Sequence, residues 1–453
     1  MQKGCFFAVV NKLKLFVVES FSTYPQNLYT NYFTHTTTFS IIFDTLDTIC
    51  VLFVPKWGSY QQINKAYYNG YLYIFTLFET QKETVMKIIV NGLDLHDAIS
   101  KVSKALPVRD VTQTLECIKV VAQDDTLTLF ATDKDLAIEK TIDANVVVSG
   151  SFLIPGKLFA EYIRNIASET EIAMELNDEL KLVISSAGSE CCMQCFDVEN
   201  YPETELVSDE QYFEVVERDL KELVGRVLFA VATDDARPIL KGVYLEASNG
   251  TVSAVATDGY RLAMAKKPLV NVVEKISATV PSRSLSELAK LLSDTDDGVK
   301  IYIERNNMMV KLANTTLIAR LLTNGQYINY NNLIPKEFLT TLIVNKENFE
   351  KSLNTASIMS RGDRNNLVVL DVEEYAMKIS STSEYGTAKE EVTVSLSGRD
   401  LRCSYNAKYI NDCLKVLNCE AIKMQFALHN SCVITVNNSD EVLYFILPVK
   451  TIN

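Results

Sequence analysis

A chain of 453 residues has room for about three domains of ordinary size, and 47% hydrophobic against 22% charged residues excludes a disordered chain. A net charge of −13 sets the overall field against a polyanionic partner, so contact with nucleic acid requires a local basic stripe. Ten irregularly spaced cysteines are no disulfide framework, and no run reaches the roughly 18 apolar residues that span a bilayer; a reduced, cytoplasmic protein is expected.

Residues 1–85 differ in texture from the rest. They hold the only Trp (Trp57), 10 of the 20 Phe, 8 of the 21 Tyr and no Arg, with poor amphipathic periodicity. Lys12 and Lys14 interrupt the opening apolar run, and no small-residue cleavage site follows, which argues against a signal peptide. The segment reads as an atypical extension: a docking arm, a disordered segment, or upstream sequence translated from a start set too early. The last is favoured, with Met86 as the true first residue.

From Met86 a strand-then-helix opening recurs three times. Met86–Val90 leads to Leu95, Ile99, Val102 and Leu106; Tyr212–Val216 to Leu220, Val224 and Leu228; Leu342–Val344 to Phe349, Leu353 and Ile358. A second signature repeats as well. Phe152–Pro155 precedes a helix with Phe159 and Ile163, Ala278–Pro281 one with Leu285 and Leu288, and Cys403–Asn406 one with Ile410 and Leu414. From Pro155 to Pro281 to Asn406 the steps are 126 and 125 residues, the size of a domain. The reading is α+β: three tandem copies of one unit, each with two helices and about eight short strands packed as antiparallel sheets. Expected bounds are 1–85 for the extension, then 86–208, 209–334 and 335–453, with junctions near Glu203–Gln211 and Asn331–Phe338.

An octet marks the second unit: Ala256-Thr257-Asp258-Gly259-Tyr260-Arg261-Leu262-Ala263. It is a hairpin whose Thr-Asp-Gly turn uses glycine for a positive φ. Its echo is Ala131-Thr132-Asp133, and its third equivalent is expected at Ser380-Ser381-Thr382.

The six helices share a basic bias. Candidate phosphate contacts are Lys101, Lys104, Lys157, Arg164, Lys221, Arg226, Arg283, Lys290, Lys351, Lys408 and Lys415, with acids concentrated elsewhere, as in Asp124-Asp125, Asp294–Asp297, Glu373-Glu374 and Glu390-Glu391. On any one helix, lysines are an ordinary solvated face. Six helices lining one surface would hold a phosphate backbone without reading bases.

Catalytic chemistry is sparse. His35, His96 and His429 lie apart, and no GxSxG, P-loop, GxGxxG or HExxH occurs. Cys191-Cys192-Met193-Gln194-Cys195 alternates along a strand and lacks a second ligand pair, so a structural role outweighs a metal site. Asp133 and Asp258 are repeat-equivalent turn residues rather than paired catalytic carboxylates. No enzyme, metal or cofactor is expected.

The three copies, the octet and the closing Tyr444-Phe445-Ile446-Leu447-Pro448-Val449-Lys450 resemble the bacterial sliding clamp, the beta subunit of DNA polymerase III, from Met86 onward. The resemblance implies a head-to-tail homodimer that closes a six-unit ring, a non-catalytic processivity factor that encircles duplex DNA without sequence specificity, and action at the nucleoid. It implies DNA proximity for Arg109 and Arg237. It implies a peptide cleft for the replicative polymerase alpha subunit, the clamp loader, and repair and ligation proteins. The matching cleft positions are Leu240, Thr257, Gly259, Tyr260, Arg261, Leu262, Ile328, Asn332, Leu333, Asn406, Tyr409, Leu447, Pro448, Val449 and Lys450; Arg261 has a second reading, as a structural partner of an acid. A subunit interface is implied between Cys191 and Met193 on one edge and Ile358 and Met359 on the other.

The chain departs from the family pattern at Gly325–Tyr330, where Ile328 replaces a proline. It departs also at Asn332, a position that is commonly basic, and at Lys450, often Arg. An alternative function is a clamp-like docking paralogue that does not encircle DNA. A nucleotidyltransferase lacks a carboxylate pair in a metal-binding setting.

Overall fold

The computed structural model describes residues 84–108, 112–168, 171–199, 201–202, 211–362 and 365–450, together with the backbone of four N-terminal strands. Two bodies are distinguished, Met1–Gln81 and Lys82–Asn453. In the first, Cys5–Val10 pairs with Leu13–Val18, and Thr37–Ile41 with Cys50–Val54. The expected junction over 203–210 and Arg109 lie outside the described residues.

The second body holds three units with two helices each: α1 Gly92–Val102 and α2 Gly156–Ile166, α3 Glu217–Gly225 and α4 Ser282–Leu291, α5 Lys346–Ala356 and α6 Ala407–Lys415. Nine, eight and eight strands accompany them among the described residues. In units one and three the first helix starts where a strand ends on an asparagine cap, whereas in unit two it follows Val216, which supplies no side-chain cap. Asn91 Oδ1 accepts from the Leu93 and Asp94 amides, and Asn345 Oδ1 from the Asn348 amide. The second helix follows Pro155, Pro281 or Asn406, and only Asn406 supplies a side-chain cap, to the Lys408 amide at 2.9 Å.

One stripe of each helix enters the core: Leu95 and Ile99, Phe159 and Ile163, Leu220 and Val224, Leu285 and Leu288, Phe349 and Leu353, Ile410 and Leu414, all nearly fully buried. Burying one such side chain contributes about 1.5–3 kcal/mol. Three expected helix positions fall beyond the helices. Leu106 follows the short 3-10 turn Ser103–Ala105, Leu228 opens the turn Leu228–Ala230, and Ile358 lies in the turn Ser357–Ser360. Buried Ala105, Ala230 and Ser360 anchor these turns, whereas Ile358 is 52% exposed and belongs to no core.

The sheets run across the units. An eight-stranded sheet joins units one and two where Leu136–Asp143 pairs with Thr315–Arg320. A twelve-stranded sheet joins units two and three where Arg261–Pro268 pairs with Val442–Ile446. The octet hairpin recurs in strict register: Thr132 faces Ala137, Thr257 faces Leu262, and Thr382 faces Thr387. The third equivalent of Ala-Thr-Asp is therefore Ser381-Thr382-Ser383, one residue later than the sequence suggests. Ser381 is buried at the position of Ala131 and Ala256.

Candidate functional site

The octet hairpin is shaped by its own side chains. Thr257 Oγ1 donates to the Arg261 carbonyl at 2.7 Å and accepts from the Gly259 amide at 3.1 Å. Asp258 Oδ1 accepts from the Tyr260 and Arg261 amides at 2.9 and 3.0 Å. Asp133 does the same for Asp135 and Leu136 in unit one, so both aspartates are Asx-turn residues. Gly259 has φ +92°, and a Cβ there would lie 2.5 Å from Arg237 Nη2. Arg237 thus sits over the turn, not on a helix face.

Arg261 is only 7% exposed and ties unit two to unit three. Its Nε donates to Asp258 Oδ2 at 3.0 Å, Nη1 to Asp412 Oδ2 at 2.7 Å, and Nη2 to the Phe229 carbonyl at 2.7 Å. Its guanidinium carbon stands 4.5 Å from the Tyr409 ring centroid and 5.2 Å from that of Phe229. Burial, and then the Asp258 charge, push the Tyr409 hydroxyl up. The structural reading of Arg261 therefore holds. No local pattern in the sequence marks Asp412 or Phe229 as a partner of Arg261, although an acid recurs six residues after Pro155, Pro281 and Asn406, as Glu161, Glu287 and Asp412.

The apolar candidates form two joined groups. Leu240 packs with Ala232 and Ile239, flanked by Leu322, Tyr327 and Ile328. Leu262 packs with Val255, Val433 and Phe445, and Tyr327 reaches this group too. Tyr327 stacks on Tyr244 with centroids 5.2 Å apart, and its hydroxyl donates to the Val255 carbonyl. Leu447, 39% exposed, donates its amide to the Tyr260 carbonyl at 3.0 Å, and Val449 donates to the Ser404 carbonyl at 2.8 Å. These bonds set Leu447, half-buried Pro448 and Val449 beside the octet turn and the strand before α6. Asn332, Leu333 and Lys450 are exposed. An exposed Tyr260 and Leu447 over a buried apolar layer suit an extended peptide with a few apolar anchors.

The basic candidates divide. Lys157, Arg164, Lys351, Lys408 and Lys415 are exposed. Lys408 and Lys415 line a groove of about 270 Å3 between α5 and α6, together with Arg361, Asn354 and Asn411. Lys104 donates to the Ser100 carbonyl; burial lowers its pKa, and the fields of Glu287 and Lys290 reach it from α4. Lys101, Lys221, Arg283 and Lys290 are exposed or half-exposed but paired, with Asp97, Asp294, Asp133 and Glu287. Two expectations are corrected. Arg226 is no surface cation: its side chain is 11% exposed and held by Glu222 and Glu441, within a cluster that includes Lys267. The run Asp294–Asp297 does not stand apart from the basic helices, since Asp294 and Asp296 pair with Lys221 and Arg218 of α3.

Two strand edges of the kinds used at the internal joints have no neighbour among the described residues. One is Ser189–Gln194 in unit one, the end of a five-stranded sheet. The other is the 386–393 half of Gly386–Gly398 in unit three, which pairs on one side only, with Ala376–Ser383. Cys191 and Met193 are half-buried on the first edge, and Cys192 is exposed. Ile358 is exposed and Met359 half-buried in the turn that packs on the second. The eight cysteines among the described residues are free thiols, and no described helix is long and apolar enough to cross a membrane.

Three α+β units sharing continuous sheets, with paired helices in each, define a DNA-clamp architecture. Profiles of the DNA polymerase III beta subunit match in order: its N-terminal domain at residues 86–205, its central domain at 214–329 and its C-terminal domain at 331–450. The beta sliding clamp of Staphylococcus epidermidis is 30% identical over 359 residues, covering 77% of this chain and 95% of the relative. The crystal structure of the sliding clamp from Bacillus subtilis superposes with a TM-score of 0.78 at 29% identity, over 81% of this chain and all of that one. The beta subunit from Thermotoga maritima gives 0.75 at 26% identity over the same shares. The chain belongs to the DNA polymerase III beta subunit family, the bacterial sliding clamps.

Proposed function

We propose that two copies of this chain close head to tail into a six-unit ring that encircles duplex DNA and tethers the replicative polymerase without chemistry of its own. The observation that carries the reading is the pair of internal joints. Each joins the hairpin strand of one unit to the last strand of the next, and one strand of each kind is left open at opposite ends of the chain. Pairing those two edges twice closes a two-fold ring and leaves no strand edge of this kind exposed. The exposed lysines of α2, α5 and α6 would then meet phosphates loosely enough to slide. Polymerase, clamp loader, and repair and ligation proteins would dock peptides at Leu240, Tyr260, Leu262, Tyr327 and Leu447 on the cytoplasmic, nucleoid-bound ring.

Topology provides the test. Protein loaded on a nicked circular duplex stays through a high-salt wash and is lost once the circle is cut to a linear form. Equal loss from circle and line would reject encirclement and favour a docking protein that only touches DNA.

A further inference from the structure

The two internal joints fix more than which strands meet. At the first, Ala137, Ile138 and Glu139 lie opposite Ile318, Leu317 and Thr316; at the second, Leu262, Ala263 and Met264 lie opposite Phe445, Tyr444 and Leu443. The hairpins that supply one side share one register, with Thr132, Thr257 and Thr382 each facing the residue five positions later. Thr387, Ala388 and Lys389 therefore hold the places of Leu262, Ala263 and Met264. The last strands are aligned in the same way. Ser189–Gln194 turns back from Lys181–Ser186 through two residues, as Thr315–Arg320 does from Asn307–Leu312. Glu190, Cys191 and Cys192 hold the places of Thr316, Leu317 and Ile318.

We infer that the joint between two copies repeats this register. Thr387 lies opposite Cys192 of the second copy, Ala388 opposite its Cys191, and Lys389 opposite its Glu190. The inference rests on the ring reading and adds the partner's chemistry to it. Three observations agree. Ala388 and Cys191, which occupy the places of the buried pairs Ile138–Leu317 and Ala263–Tyr444, are both half-buried in the single chain and are covered on closure. The outward pair becomes Lys389 against Glu190, opposite charges directly across strands, where the internal joints carry Glu139–Thr316 and Met264–Leu443. Finally, Phe229 packs on Tyr444 across the second internal joint with centroids 5.6 Å apart. Met359 holds the place of Phe229, one residue before the buried Ser360 as Phe229 is before the buried Ala230. It lands on Cys191, the counterpart of Tyr444. The joint between copies is thus more polar than the internal ones and is keyed by a reciprocal ion pair, present twice in the ring.

A charge-swap cycle tests it. Lys389 and Glu190 are exposed in the single chain, so Lys389→Glu and Glu190→Lys leave the core intact. Sedimentation of labelled protein over a dilution series reads the dimer dissociation constant. A roughly fivefold loss per joint is squared in a ring with two joints, so each single reversal weakens dimerisation by about 25-fold. The double variant restores it to within about threefold. A second measurement reads the register itself: Thr387→Cys forms an intersubunit disulfide with Cys192 under mild oxidant, because cross-strand neighbours stand within bridging distance. Reversals without effect, or a double variant as weak as the singles, in a protein that still dimerises would overturn this register and leave the ring standing. Wild-type protein that stays monomeric at every concentration would overturn both.

Discussion

The joint between units two and three is where a single side chain has the most to lose. Arg261→Ala removes three hydrogen bonds and two ring contacts, and leaves Asp258 and Asp412, 16% and 17% exposed, without their cation. Stranding a fully buried charge costs about 3–5 kcal/mol, and the residual water access of both carboxylates brings this to about 3 kcal/mol. Asp412→Ala loses one charge-assisted bond while Arg261 keeps Asp258 and the Phe229 carbonyl, a cost of about 2 kcal/mol. In the double variant the two effects overlap by about 1–2 kcal/mol, because the residues share one bond. Hydrogen exchange localises the damage. Amides of Val442–Ile446, paired to Arg261–Pro268, should exchange about thirtyfold faster in Asp412→Ala, while Thr315–Arg320 at the other joint stays protected. Unchanged exchange at Val442–Ile446, or equal acceleration at both joints, would refute the claim that Arg261 locks this joint.

Gly259→Ala, with φ +92° and Arg237 against its Cβ, should destabilise by about 1–2 kcal/mol in thermal melts, more than Gly250→Ala at φ +74° with open space around it. Glu441 is held below the usual carboxylate range by the Arg226 hydrogen bond and then by the Lys267 charge. A depressed carboxyl stabilises above its unfolded pKa and loses that contribution as pH falls through the folded one. The melting gap between wild type and Glu441→Gln should therefore be full at about pH 6 and shrink as pH falls below the ordinary carboxylate range. Burial pushes the Cys117 thiol up to about 11 and those of Cys195 and Cys403 to about 12. At pH near 8, a thiol reagent followed by peptide mapping should mark exposed Cys192 on the monomer and spare these three until the chain unfolds.

Much of the fold was legible because it is written three times. Strand-then-helix periodicity and the near-constant step between Pro155, Pro281 and Asn406 identify the unit without any contact information. The turn chemistry of Asp133 and Asp258 was legible for a similar reason, since one carboxylate oxygen of each accepts amides of its own hairpin. What stayed hidden depends on neighbours distant in sequence. Arg226 reads as one more basic residue on a helix, and only folding brings Glu441, 215 residues away, onto it. Asp412 lies 151 residues from Arg261, so their bond leaves no local pattern. The one-residue slip in the third hairpin has another cause: Ser and Thr crowd that turn, and side-chain chemistry alone does not choose among them until the strand pairing does.

Images of single particles of the purified protein show whether the ring closes. The account predicts a two-fold-symmetric annulus of six similar units, helices inward and sheets outward, with the joint between copies continuous in β-structure from Gly386–Gly398 to Ser189–Gln194. Particles of three units with both edges open at concentrations that favour dimers, or pairs joined through any other surface, would contradict it.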